Sequence, residues 1–184
     1  MELELLLQRE PWWSALTHLQ AWGGLALLDA GLQRSRHWPV ALRRAHRLGL
    51  EPLPVLLACG DHPAAVAARL QLPHRQQRWL QAFSQFREQL SMLEPAHTQA
   101  WDPAAWSLWL ERQPDAGHVV PLALVCGARP CRPLLAWWFR WRHLNAGITA
   151  ADLLRDGWTP GPAIGARLRE LRMERLAQLP WVSR

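Results

Sequence analysis

The stretch HRQQRWLQAFSQFREQLSML, residues 74–93, constrains the fold of this chain more than any other. Leu80, Phe83, Phe86, Leu90 and Leu93 recur at steps of three and four residues, which places them on one face of an α-helix. A half-buried strand needs apolar residues at every second position, and no segment follows that pattern. Hydrophobic residues make up 49% of the chain, with Leu and Ala dominant and Val and Ile few, a mixture that favours helices over strands. The expected fold is all-α, a bundle-like arrangement of many helices.

The rest of the chain reads the same way. Residues 2–7 and then 12–28 suggest helix, the second with Leu16, Leu19, Leu25 and Leu28 among its apolar positions. Pro39 can start a helix that ends near Gly49. Two short helices broken by Gly60 and Pro73 follow, and GDH, residues 60–62, reads as a helix cap. A polar, proline-punctuated link lies near residues 94–103. Beyond it come a short helix near 104–112, the apolar segment HVVPLALVCG, and a mostly buried helix carrying Leu134, Trp137, Trp138, Trp141 and Leu144 that Gly147 should stop. Thr149 with Asp152 reads as a capping box for the next helix. A final helix runs to about Leu179. At 184 residues the chain can form one ordinary domain or two small ones.

Composition removes several functional classes. No apolar run approaches the roughly 20 residues that span a bilayer, and the N-terminus does not read as a signal peptide; the expected setting is the cytoplasm, with no membrane partner. Cys59, Cys126 and Cys131 form neither a disulfide framework nor a zinc set, so no metal is expected. No cofactor is expected either: the chain has no P-loop, no dinucleotide-binding glycine pattern, no H-E-x-x-H and no G-x-S-x-G. No D-x-D pair occurs that could hold the two metals of a phosphoryl-transfer site. These absences argue against catalysis by this chain alone.

Charge points elsewhere. The formal net charge is +6 and the 21 basic residues are all arginine, the cation best matched to phosphate. No acid lies between Asp29 and Glu51, where Arg43, Arg44 and Arg47 occur, or between His62 and Arg87, where Arg75 and Arg78 occur. Arg43 and Arg47 share a helix face by their spacing. Arg167, Arg169 and Arg172 lie on the last helix around an expected inward stripe of Ile164, Leu168 and Leu171. Each set is either a phosphate-binding surface or a solvated helix face.

The segment GWTPGPAIG, residues 157–165, specifies a stiff corner. Pro160 and Pro162 fix their own φ and push the preceding residues out of helical conformation. Gly157 can close the helix before the corner, and Pro162 can open the one after it. Gly165 is a poor helix residue, and its presence leads to the expectation that another backbone or a ligand approaches there.

Two stretches carry a resemblance. ITAADLLRDGWTPGPAIGARLRELRMERL, residues 148–176, is similar to a signature near the C-terminus of bacterial CCA-adding tRNA nucleotidyltransferases and their poly(A) polymerase relatives. The matching elements are Ile148–Thr149, Asp152–Leu153, Gly157, Pro160–Gly161–Pro162, Ile164–Gly165 and the leucines of the following helix. HPAAVAARLQLPHRQQRWLQAF, residues 62–83, resembles the helix pair of that family in which a V-A-x-R-L-x-L segment precedes a basic helix. The family's catalytic head, with its Gly-Ser motif and D-x-D metal site, has no counterpart here. What the resemblance implies is the helical part alone: a neck and body over 1–94, a linker over 95–103 and a tail over 104–184. It implies tRNA or another structured RNA as partner, and it leaves three alternatives for the head: the chain is a fragment, one half of a split enzyme whose nucleotidyltransferase head is a separate polypeptide, or a stand-alone relative. Arg43, Arg44, Arg47, Arg75, Arg78, Arg167, Arg169 and Arg172 are then the candidate RNA contacts, and Asp152, Gly157, Pro160, Gly161, Pro162 and Gly165 the structural turn. The competing expectation is a helical protein-interaction module whose exposed tryptophans meet a protein partner.

Overall fold

A computed structural model describes residues 2–8 and 12–181. Among them are thirteen α-helices and no strand. In chain order they are α1 (Glu2–Gln8), α2 (Trp12–Ala21), α3 (Ala30–Arg34), α4 (Trp38–Arg47), α5 (Pro52–Ala58), α6 (Pro63–Arg69), α7 (His74–Met92), α8 (Pro95–Gln99), α9 (Pro103–Glu111), α10 (Ala116–Val125), α11 (Cys131–Phe139), α12 (Ala150–Arg155) and α13 (Pro162–Ala177). The all-α expectation is met.

Proline sets many of the starts. It occupies the first or second position of α4, α5, α6, α8, α9 and α13, where its missing N–H would have had no helical partner. The ends of α4, α6 and α10 share one hydrogen-bond pattern. Leu50 N–H reaches Ala45 O at 2.9 Å, Leu72 N–H reaches Ala67 O at 3.1 Å, and Ala128 N–H reaches Ala123 O at 2.9 Å. Each bond satisfies a carbonyl that the helix leaves open.

The chain forms two compact units, neither of them continuous in sequence: residues 1–92 with 113–131, and residues 93–112 with 132–184. This differs from the expected division into 1–94, a linker and 104–184. The expected linker contains α8 and the start of α9, and α10 belongs with the first unit. The reason lies in α10 itself. Val119, Val120, Pro121, Leu122, Ala123 and Val125 are all buried, and a helix apolar around most of its girth needs neighbours on several sides. It finds them in α4, α5 and α7.

In the first unit α4 packs on α5, and α6 and α10 on α7. Leu80, Phe83, Phe86 and Leu90 form the expected buried stripe of α7, joined by Trp79. Trp38 is 1% exposed, and its ring N–H donates to Gln20 Oε1 at 3.1 Å. His118 stacks on Trp79 with ring centres 4.1 Å apart.

A buried carboxylate organises this unit. Asp29, 7% exposed, caps α3 by accepting from Leu32 N–H at 3.0 Å. The same carboxylate accepts from the N–H groups of Asp61 and His62, each at 2.9 Å. It therefore ties the start of α3 to the turn between α5 and α6. A Cβ at Gly60 would lie 2.9 Å from the Asp29 carboxyl carbon, so the turn closes this tightly only with glycine there. Burial pushes the Asp29 carboxyl up, and the backbone N–H groups of Asp61, His62, Leu32 and Gly31 more than offset it, leaving its pKa below the ordinary value. The GDH turn was expected to be a helix cap; His62 stands at the N-cap position of α6 but no side chain caps that helix. Instead Asp61 pairs with Arg34 at 2.7 Å, and Asp29 supplies the acceptor.

In the second unit α9 and α12 pack on α13. Trp106, Leu110, Trp137, Trp141, Leu153, Ile164 and Leu176 are buried. Trp101, Trp106 and Trp109 cluster edge to face, the first two with ring centres 4.8 Å apart.

Two expected helices are shorter than their apolar patterns. Residues 12–28 break after Ala21 into a turn and a 3-10 segment, Gly24–Leu27, because Gly23 takes φ 78°. The helix expected to reach Gly147 ends at Phe139. Arg140 leaves helical geometry, and Trp141–His143 forms a 3-10 turn, which directs Trp141 into the core at 3% exposure.

Candidate nucleic-acid interface

The eight candidate arginines separate into two groups once their neighbours are known. Four are held by acids. Arg75 pairs with Glu51 and its guanidinium lies 4.7 Å from the Trp79 ring centre. Arg78 grips Asp115 with two bonds, at 2.9 and 3.3 Å. Arg167 lies 3.1 Å from Glu170 and 3.4 Å from Glu174. Arg172 binds both oxygens of Glu111, at 2.9 and 2.6 Å, and donates to the carbonyls of Leu144 and Trp141.

Arg172 is the most enclosed of these, with its side chain 17% exposed. It ties α13 to α9 and to the chain after α11, so it works as a structural clamp. Its position on the helix explains this: it faces the neighbouring elements rather than flanking the inward stripe. Ile164 on that stripe is buried, while Leu168 and Leu171 are half-buried.

The other four are Arg43, Arg44, Arg47 and Arg169, all exposed. No ion pair engages them among the described residues. Three lie on α4, whose opposite face is buried through Trp38, Ala41, Leu42 and Ala45. That burial fixes the outward direction of Arg43, Arg44 and Arg47. Arg43 lies over the Trp13 ring at 5.2 Å, which steadies its stem and leaves N–H groups at the guanidinium edge. The last turn of α4 carries Arg44, His46 and Arg47, where cations also suit the helix dipole.

The acid-free stretch explains why this face keeps its charge. Asp29 is committed to three backbone N–H groups and Glu51 to Arg75 and Gln76. Arg36, in the turn before α4, is likewise exposed and adds to the uncompensated charge. It was not among the candidates, although the same run without acids marks it.

The corner is built largely as the sequence dictates. Thr149 Oγ1 accepts from Asp152 N–H at 3.3 Å, and Asp152 Oδ2 accepts from Thr149 N–H at 2.7 Å, a complete capping box at the start of α12. The Thr149 N–H and hydroxyl bonds hold the Asp152 carboxyl below its usual range. Gly157 takes φ 89° and closes α12: its N–H reaches Leu154 O at 3.2 Å, and Trp158 N–H reaches Leu153 O at 3.0 Å. After Pro160, Gly161 has φ 157°, and Pro162 opens α13.

At Gly165 the expected backbone approach is not found. A Cβ there would meet nothing nearer than an Arg169 guanidinium nitrogen at 4.0 Å. No backbone of the described residues approaches it. Beside α13 the second unit has an open depression of about 560 Å³, lined by residues 145–149 with Leu168, Arg169 and Arg172. Arg169 has no acid partner there among the described residues.

Among the described residues no three side chains gather to hold a metal ion, and no helix is long and apolar enough to cross a membrane. Trp22 and Leu27 are each 81% exposed, the most open large apolar side chains among the described residues of the first unit. Comparison with family models, with curated proteins and with solved structures gives no match for this chain.

Proposed function

We propose that this chain is a tRNA-holding helical module, similar to the body and tail of CCA-adding and poly(A) polymerase-like nucleotidyltransferases. Transfer of nucleotides would fall to a catalytic head outside these residues. The observation that carries this reading is the outward face of α4, where Arg43, Arg44 and Arg47 are exposed and have no acid partner among the described residues. The segment 148–176 supports it, since the residues that match the family signature are those that build the capping box, the Gly157 turn and the start of α13.

The mechanism is electrostatic. The grooves of an A-form helix offer side chains shape, phosphate and 2′-hydroxyl rather than sequence. Arginines on a rigid helix neutralise phosphates and release counterions, so affinity falls as salt rises. The acid-paired Arg75, Arg78, Arg167 and Arg172 contribute little to such a surface, because a neighbouring carboxylate already offsets the charge of each. The contact set narrows to Arg43, Arg44, Arg47 and Arg169.

The test is the triple variant Arg43→Ala, Arg44→Ala, Arg47→Ala. These side chains are exposed, so the fold should persist. Binding to tRNA should weaken and the slope of log affinity against log salt should drop by about two to three, near one per lost phosphate contact. Preference among tRNAs should not change. Wild-type affinity and slope in the variant would mean that the α4 arginines are only solvated.

A second reading rests on Trp22 and Leu27. Apolar side chains this exposed suit a protein partner, and half of the candidate arginines are tied to acids. Under that reading Trp22→Ser with Leu27→Ser abolishes partner binding. Under the first it leaves tRNA affinity as it was.

A further inference from the structure

Sequence spacing gives none of the three cysteines a partner, and folding changes that for two of them. Cys59 follows the last turn of α5 and Cys126 the last turn of α10. They are 67 positions apart in the chain, yet their sulfurs lie 3.9 Å from each other. Both are partly accessible. They share the wall of a cavity of about 190 Å³ with His37, Phe83, Arg87 and Leu90, all within the first unit.

The surroundings suit sulfur chemistry. Arg87 donates to the carbonyl oxygens of Gly60 and Asp61, at 2.9 and 2.6 Å. Among the described residues no carboxylate pairs with it, so its charge favours a thiolate in the cavity. The hydrogen bond with Cys59, then burial, pushes the Cys126 thiol well up, with Arg87 acting against them.

We propose that Cys59 and Cys126 form a thiol–disulfide exchange site whose co-reactant is a small anionic disulfide of the glutathione type, and that the product is a covalent link between α5 and α10. The Cys59 thiolate attacks one sulfur of the small disulfide. That S–S bond breaks, and one small thiolate leaves and takes up a proton. Cys126 then loses its proton to solvent and attacks the Cys59 sulfur, releasing the second small thiol. Two protein thiols and one small disulfide become one protein disulfide and two small thiols, a two-electron oxidation of the protein. The sulfurs must close from 3.9 Å to about 2 Å. Both sit just past helix ends, where side-chain rotation meets the least helical backbone. The first unit is assembled from residues 1–92 and 113–131, and this bond would fasten the second piece to the first.

The experiment uses the whole reduced chain, incubated with excess glutathione disulfide, quenched by alkylation and weighed intact. The expected product has lost two hydrogens, about 2 Da, carries one alkyl group on Cys131, and melts several degrees higher than the reduced form. Arg129 and Arg132 each precede proline and resist trypsin, so Cys126 and Cys131 travel in one peptide. The variant Cys131→Ser separates them and should give the same cross-link to the Cys59 peptide. Three alkylated thiols, persistent glutathione adducts without a cross-link, a link through Cys131, or a disulfide-bonded dimer would each overturn the proposal. The wild-type result stands even where Cys59→Ser or Cys126→Ser fails to fold.

Discussion

Replacing Asp29 with alanine should cost the first unit about 3 kcal/mol, a figure that follows from three bonds. The bond to Leu32 N–H is a helix N-cap, and losing one costs about 1 kcal/mol. The bonds to Asp61 and His62 N–H, both 2.9 Å long, are made by a charged acceptor and are worth about 1.5–3 kcal/mol each. Both donors lie where solvent can reach them once the carboxylate is gone, so each contributes nearer 1 kcal/mol. Asp29→Asn keeps one acceptor oxygen and should lose about half as much.

The pH dependence separates this account from a simple packing defect. The folded pKa of Asp29 is lowered, against about 3.9 in the unfolded chain. Its contribution is therefore fully present above the unfolded value and is lost as pH falls through the folded one. The stability gap between wild type and Asp29→Asn should be constant from neutral pH to about pH 5 and narrow below about pH 4. Urea unfolding followed by tryptophan fluorescence gives both quantities. A loss under 1 kcal/mol for Asp29→Ala, or a gap that does not narrow in acid, would refute the reasoning.

Gly165→Ala should stabilise the second unit by about 0.5–1 kcal/mol, since α13 has room for the methyl group and alanine is the better helix former; a lowered melting temperature would mean that something approaches closely there after all. Arg172→Ala should cost about 2–3 kcal/mol by leaving Glu111 without its bidentate partner, whereas Arg169→Ala should change stability by less than 0.5 kcal/mol. Thermal melts of the two variants side by side check the contrast, and equal losses would contradict it.

The helices and the corner were legible because their causes are local. Pro162 and Gly157 dictate backbone conformation by their own covalent structure, Thr149 and Asp152 are three residues apart, and the α7 stripe is a matter of period. What the sequence could not convey depends on partners distant in the chain. Arg78 meets Asp115, 37 residues on, and Arg172 meets Glu111, 61 residues back. A run without acids in sequence is no guide to acids that folding brings alongside. The inclusion of α10 in the first unit has the same origin, since an apolar run says that it must be buried but not against what. Asp29 and the Cys59–Cys126 pair were hidden likewise. Gly165 differs for another reason: a glycine in a helix permits a close approach, and no backbone of the described residues makes one there.

The role proposed for the exposed arginine face of α4 is to hold tRNA. Fluorescence anisotropy of the purified chain with labelled tRNA, over a series of salt concentrations and beside a DNA duplex of equal charge, tests it most directly. The account predicts tighter binding to tRNA than to the duplex, with affinity falling steeply as salt rises. Equal affinity for the two, or no measurable binding to tRNA at low salt, would contradict it.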